Sequence, residues 1–168
     1  MVARLEKPLA GIASQPMRAA RYLRWFLVSI LVLFIAIQLV RPARSNPASN
    51  PSANLMAHAT PAVAKIFSRA CRDCHSNETQ WPVYSQIAPI SWLLAYDVRE
   101  GRDHFNYSEW TSIDPDDQDK LLGGICSVTR RGRMPMPKYV WMHREAKLSA
   151  TDIEALCAWS EKMRDTIQ

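Results

Sequence analysis

Cys71-Arg72-Asp73-Cys74-His75 (CRDCH) follows the pattern C-x-x-C-H, which is the pattern that attaches c-type haem. The spacing has a physical reason. On one turn of helix, the two thiols reach the two vinyl groups of haem and form thioethers, and the following imidazole projects under the ring towards the iron. We therefore predict one covalently bound haem c, with Cys71 and Cys74 as its attachment points and His75 as an iron ligand.

Two other uses of a C-x-x-C pair are less consistent with the surrounding sequence. A thioredoxin-like redox pair follows a strand in a βαβ unit, whereas residues 61–70 (PAVAKIFSRA) have the apolar spacing of a helix. A zinc site needs a second paired set of ligands, and Cys126 and Cys157 are too far apart in sequence to supply one. The pattern therefore favours haem.

The second axial ligand of the iron must come from elsewhere in the chain. Electron-transfer haems commonly use His plus Met, which raises the reduction potential. Met134 precedes a proline in a loop after a helix predicted to end at Gly132, and such a restricted loop holds a thioether still. We therefore predict His75 and Met134 as the iron ligands. The remaining candidates stay open: Met136, Met142, His143, His104 and His58.

Four helices are predicted in the C-terminal part of the chain. The first, over residues 61–70, leads into the haem motif, and the second covers about residues 88–104. The third follows Asp114-Pro115, an N-cap with proline at the first helical position. The fourth starts at residues 149–152 (SATD), where Ser149 or Thr151 can cap it. Helix, C-x-x-C-H, two helices, methionine loop, helix is the order of an all-α cytochrome c-like domain.

Several other side chains have predicted structural roles. Cys126 and Cys157 lie on the inward faces of the third and fourth helices, so they form either a disulfide or two buried thiols. The aromatic residues are expected to pack around the macrocycle, which needs an apolar shell. These residues are Trp81, Tyr84, Trp92, Trp110, Trp141 and Trp159.

The N-terminal part of the chain contains an uncharged run over residues 25–40, bracketed by Arg24 and Arg41. We interpret it as one transmembrane helix, because the small residues of a signal-peptide cleavage site do not follow it. Basic residues before the run predict that residues 1–24 are cytoplasmic, although translation could start at Met1 or Met17. Residues 41–59 are rich in Pro, Ser, Asn and Ala and are predicted to be an extended tether. Residues 60–168 then form the haem domain, on the periplasmic side of a bacterial inner membrane.

The net charge of +5 does not indicate a nucleic-acid partner. Residues 1–44 hold seven Lys or Arg against one acid, whereas residues 45–168 hold 14 basic and 15 acidic residues. Nucleic-acid binding needs a basic face on the folded domain. The expected partners are therefore the lipid of the inner membrane and redox proteins.

Five stretches of the chain resemble the small haem-binding domain family of bacterial cytochrome-c-like proteins. They are CRDCHSNETQWPVYSQIAPISWL, VREGRDHFNYSEW, ICSVTRRGRMP, HREAKLS and ALCAW, in that order. The resemblance implies an all-α cytochrome c fold, haem at Cys71, Cys74 and His75, and Met134 as the distal ligand. One departure is Met136, where the family usually has proline, so a second thioether lies two residues from Met134.

The function expected from these features is one-electron transfer by a membrane-anchored monohaem cytochrome, not catalysis. Iron with His and Met ligands has no free position for a substrate. Two alternatives remain open: a haem-bearing subunit of a larger membrane complex, and a haem sensor or peroxidase with an open sixth position.

Overall fold

The computed structural model describes residues 15–167, and every regular element in that part of the chain is helical. The predicted all-α class is therefore confirmed. Residues 1–14 of the predicted cytoplasmic segment, including Met1, lie outside the described residues, as does Gln168. The α-helices are α1 (Gln15–Ile37), α2 (Pro61–Ala70), α3 (Arg72–His75), α4 (Ile90–His104), α5 (Pro115–Arg130), α6 (Pro137–Met142) and α7 (Ala150–Asp165). Short 3-10 helices lie at Pro51–Ala53, Leu55–His58, Val83–Gln86, Tyr107–Ser112 and Arg144–Ala146.

Helix α1 contains the predicted membrane segment with shifted bounds. Its stretch Arg18–Ile37 has 20 residues, a mean hydropathy of 1.9 and no buried positions. At 1.5 Å per residue it is about 30 Å long, which matches the hydrocarbon core of a bilayer. A helix of this length and composition can cross a membrane, and a signal sequence near an N-terminus has the same features. The α-helix ends at Ile37 rather than at residue 40. The N–H groups of residues 38–40 bond back three residues, and the Gln38 side chain and the Val40 carbonyl hydrogen-bond to the folded domain.

The segment predicted to be an extended tether, residues 41–59, is packed on the domain. Asn50 and Asn54 each accept a backbone hydrogen bond that caps a 3-10 helix. The side chain of Leu55, which directly follows Asn54, is completely buried in the core. The tether prediction is therefore wrong, because the prolines and asparagines supply caps and turns, and one leucine supplies the apolar contact that fixes the segment.

The core forms where α2, α5 and α7 meet the 3-10 helix at Tyr107–Ser112. The ring of Phe67 contacts Tyr107 and Trp159 edge to face, at centroid distances of 5.4 Å and 5.6 Å. Such aromatic pairs add about 0.5–1.5 kcal/mol beyond the area they bury. The buried cluster consists of Leu55, Val63, Ile66, Phe67, Tyr107, Trp110, Leu122, Leu156 and Trp159.

The predicted helix starts are close to the observed ones. Asp114 caps α5 with Pro115 in the first turn, and Ser149 forms a capping box with Asp152 at the start of α7. Helix α5 ends at Arg130, two residues before the expected position, and Gly132 then takes the left-handed φ of 63°. Helix α6 was not predicted, because its six residues are too few to show an apolar period.

Cys126 and Cys157 form a disulfide with a Cα–Cα distance of 4.6 Å. This finding decides between the two states that the sequence left open. The bond joins α5 to α7, the pair of helices in closest contact.

Candidate haem site

One cavity of about 720 Å³ brings together Cys71, Cys74, His75 and Met134. These are the four residues that the sequence predicted as the binding site. Its volume lies within the 300–1,000 Å³ range of small-molecule and cofactor sites. Residues from α2 to α5, from the loop that carries Met134 and from α6 and α7 line it.

The two cysteines and His75 lie on a single helical turn. The carbonyl oxygen of Cys71 accepts hydrogen bonds from the backbone N–H of Cys74 at 3.3 Å and of His75 at 2.9 Å. This turn follows α2 directly, because the N–H of Cys71 bonds back to the carbonyl of Phe67. The arrangement aims two thiols and one imidazole into the same space.

The imidazole of His75 is held by hydrogen bonding to the backbone. Its Nδ1 lies 3.0 Å from the carbonyl oxygen of Phe105. An N–H at Nδ1 donating to that carbonyl leaves Nε2 with a free lone pair, which is the usual arrangement of an imidazole that binds iron. Burial lowers the pKa of His75, so the neutral form is favoured.

Burial also shifts the pKa values of the Cys71 and Cys74 thiols. It raises the pKa of Cys71 to about 12, and the neighbouring Cys74 adds to the shift. The pKa of Cys74 is likewise raised to about 12, again mainly by burial. Both thiols are therefore protonated at neutral pH, unlike the thiolates that bind a metal ion directly.

The second variable residue of the motif, Asp73, connects α3 to α6. The hydroxyl of Tyr139 donates to Asp73 Oδ2 at 2.8 Å, and the backbone N–H of Gln80 donates to Oδ1 at 3.0 Å. Burial and the Asp73 carboxylate raise the pKa of Tyr139, so its phenol remains protonated. Lys138, the residue before Tyr139 on α6, forms an ion pair with Asp97 of α4 at 2.8 Å. Sequence reasoning missed these contacts, which hold α6 and the preceding Met134 loop beside the motif.

The cavity divides the candidates for the second iron ligand into two groups. Met134, Met136 and His104 line it. The lining does not include His143, Met142 or His58, all of which are among the described residues.

The other three candidates have different surroundings. The Nε2 of His143 lies 2.7 Å from the Tyr84 hydroxyl, and its ring stacks on Tyr139 at 4.4 Å. Met142 is about half exposed, and the carbonyl of His58 accepts a hydrogen bond from the indole of Trp159.

The predicted aromatic shell is wrong in its membership. The aromatic side chains that line the cavity are Phe67, Tyr96, Phe105 and Tyr139. None of the six predicted residues (Trp81, Tyr84, Trp92, Trp110, Trp141, Trp159) is part of the lining. Trp110 and Trp159 fill the core instead, and Trp141 is 77 % exposed. The large indoles pack between helices, where most apolar area is buried, and smaller side chains form the cavity wall.

The residues of the cavity fit a haem group. Its wall combines paired thiols, an imidazole and a thioether with an otherwise mainly apolar lining. Gly124 also lines the cavity, and a Cβ added there would meet no atom within 4 Å, so the space beside α5 is open at this point. Within residues 15–167, no cluster of three or more His, Cys, Asp or Glu side chains is arranged to hold a bare metal ion.

Comparison with known families agrees with this geometry. A family model described as a haem-binding domain matches residues 32–162. The match begins inside α1 and ends inside α7, so it includes the motif, the cavity and the Met134 loop. No curated protein and no solved structure matches the chain.

Proposed function

The chain belongs to the haem-binding domain family, and we propose that it is a membrane-anchored monohaem cytochrome that transfers single electrons in the periplasm. The observation that carries this proposal is the cavity shared by Cys71, Cys74, His75 and Met134. When bound, haem supplies a one-electron couple between ferric and ferrous iron.

Cys71 and Cys74 would hold the cofactor covalently, each thiol through one thioether to a vinyl group, an addition that involves no net oxidation. Both thiols lie on one turn that α2 and α4 hold in place. His75 would bind iron through Nε2, and the Phe105 carbonyl keeps its ring oriented through Nδ1.

Met134 would supply its thioether to the iron. It lines the cavity, and its backbone N–H bonds to the Val128 carbonyl at 3.4 Å, which ties the loop to the end of α5. With His75 and Met134 both on the iron, no position would remain there for a substrate, so the chain would carry electrons and not catalyse a reaction.

The disulfide and the basic N-terminal segment support a periplasmic location of the folded domain. Disulfides persist in oxidising compartments such as the periplasm, and the bond between Cys126 and Cys157 lies on the same side of α1 in sequence as the haem motif. Arg18, Arg21 and Arg24 favour a cytoplasmic N-terminus. Helix α1 is then a single-pass anchor in the inner membrane, and redox proteins of the periplasm or the membrane are the partners.

The test uses the full chain exported with haem-attachment machinery. Haem that stays with the polypeptide after denaturation, and is lost in the Cys71→Ser, Cys74→Ser double variant, supports covalent attachment. The ferric protein should show the charge-transfer band of thioether-bound iron. That band should disappear in Met134→Ala and survive in the matched Met136→Ala and His104→Ala variants.

A second candidate function has one observation in its favour, since His104 lines the cavity and could act as a distal acid or base. A high-spin ferric spectrum with ready binding of carbon monoxide would overturn the electron carrier and favour this sensor or peroxidase. Loss of the thioether band in Met136→Ala, but not in Met134→Ala, would instead correct the ligand.

A further inference from the structure

We infer that an apolar surface of the haem domain, formed by Ile87, Ile90 and Leu93, docks on the lipid bilayer beside the anchor. The inference rests on the proposed membrane anchor and adds a second membrane contact, made by the domain itself. Its partner is a phospholipid surface.

The end of α1 is hydrogen-bonded directly to this part of the domain. The side-chain amide of Gln38 donates to the Ala88 carbonyl at 3.2 Å and accepts from the Ala88 N–H at 2.9 Å. The Trp92 indole donates to the Val40 carbonyl at 2.8 Å. The guanidinium of Arg44 binds the carbonyl of Ser85. Three residues that follow the anchor thus hold the segment that includes the start of α4.

These contacts fix the height of the surface above the bilayer. The apolar stretch of α1 ends at Ile37, and the arginines at its N-terminal end can extend to the cytoplasmic headgroups. The polar Gln38 and the charged Arg41 follow Ile37, so Gln38 lies near the opposite headgroup layer. Ile87 and Ile90 are one and two residues from Ala88, and consecutive Cα atoms are about 3.8 Å apart. Both side chains therefore start within roughly 8 Å of Ala88, a distance similar to the thickness of one headgroup layer.

The three side chains are exposed although they are large and apolar. Ile87 is 46 %, Ile90 is 45 % and Leu93 is 47 % exposed. Leu93 lies three residues after Ile90 on α4, so the two share one helix face. Contiguous exposed apolar patches mark contacts with a protein or a membrane. Because α1 holds this surface beside the bilayer, the membrane is the favoured partner.

The same helix leads from the lipid surface to the cofactor cavity. Tyr96 lies three residues beyond Leu93, is 51 % exposed and lines the cavity. Six residues separate it from Ile90, which is about 9 Å along a helix. Docking therefore holds one wall of the cavity close to the bilayer.

The test measures lipid contact at single positions of the full-length holoprotein. In that protein Cys71 and Cys74 hold haem and the other two cysteines are bonded, so an introduced cysteine is the one reactive thiol. The variants Ile90→Cys and Leu93→Cys carry a bimane label in phosphatidylcholine vesicles, with or without bromine on the acyl chains. Val32→Cys reports on the anchor, and Glu154→Cys on α7 is the matched control. The unsubstituted protein gives the background.

Bromine should lower the fluorescence at residues 90 and 93 about twofold or more, because an interfacial apolar face lies roughly 5–10 Å into the lipid boundary. The same ratio should stay near one at residue 154. Quenching at residue 32 without quenching at residues 90 and 93 would overturn the docking surface and leave the anchor intact. No quenching at any of the positions would overturn both, and an unchanged haem spectrum in every variant confirms that the domain is folded.

Discussion

Gly101 of α4 packs against the backbone of Cys74, and a Cβ added at Gly101 would lie 2.9 Å from the Cys74 carbonyl carbon. Backbone atoms cannot move aside as a flexible side chain can. This glycine therefore lets α4 approach the haem motif closely, and the contact places the Cys74 thiol in the cavity.

Substituting Gly101→Ala should lower stability and reduce covalent haem incorporation. The expected cost is about 1–3 kcal/mol of unfolding free energy, as for other overpacked sites. Chemical denaturation and haem content per polypeptide measure the two effects.

The matched control is Gly123→Ala on α5, where the added Cβ lies 3.7 Å or more from the Arg164 side chain. There the better helix propensity of alanine should stabilise the protein by up to about 1 kcal/mol. Equal behaviour of the two variants would mean that the close approach does not matter.

Removing the disulfide with the Cys126→Ser, Cys157→Ser double variant should lower the free energy of unfolding by about 3–4 kcal/mol. The two residues are separated by 31 positions, and the bond restricts the unfolded chain over that loop. Urea unfolding of the oxidised protein and the variant measures the difference. A loss below about 1 kcal/mol would show that native packing of α5 on α7, and not this restriction, sets their association.

Leu55→Ala should cost about 2–5 kcal/mol, because the side chain is completely buried and its loss leaves a cavity. Val83→Ala is the control, since Val83 is 84 % exposed and its change should stay within about 0.5 kcal/mol. Thermal unfolding of both variants provides the comparison. A neutral Leu55→Ala would restore the view of residues 41–59 as a loose tether.

Acid stability should depend on Asp152. The N–H of Ser149 and the guanidinium of Arg69 hold the pKa of this carboxyl at about 2, below its usual 3.8. A group with a depressed pKa in the folded state stabilises the protein above its unfolded pKa, and that stabilisation is lost as the pH falls. The wild type should therefore lose this contribution between about pH 4 and pH 2. Asp152→Asn should flatten the fall in that window, whereas Glu154→Gln on the same helix should not. Parallel curves for all three proteins would exclude the role of Asp152.

The sequence predicted the elements whose signals are local. The haem motif, the caps Asp114 and Ser149 and the apolar faces of α2 and α5 are short patterns with a direct physical cause, and the structure has them where they were expected. It also brings Met134 to the same cavity as the motif. The sequence could predict this position because a proline follows Met134 and a helix precedes it.

The remaining features depend on contacts between distant parts of the chain. Leu55 is one leucine in a polar segment, and nothing local shows that the core will bury it. The link from Asp73 to Tyr139 joins residues 66 positions apart. Tryptophans were assigned to the cavity because of their size, but size alone does not tell which of two apolar regions a side chain fills.

The paired hydrogen bonds between Gln38 and Ala88 also fix the angle between α1 and the folded domain. A flat chromophore held in the cavity would keep one tilt relative to the membrane normal, and it would not tumble separately from the lipid. In stacked, aligned bilayers its visible absorption should therefore differ between light polarised parallel and perpendicular to the layers. A domain that rotated freely on a flexible linker would absorb both polarisations equally. Linear dichroism therefore measures how rigid the connection between α1 and the domain is.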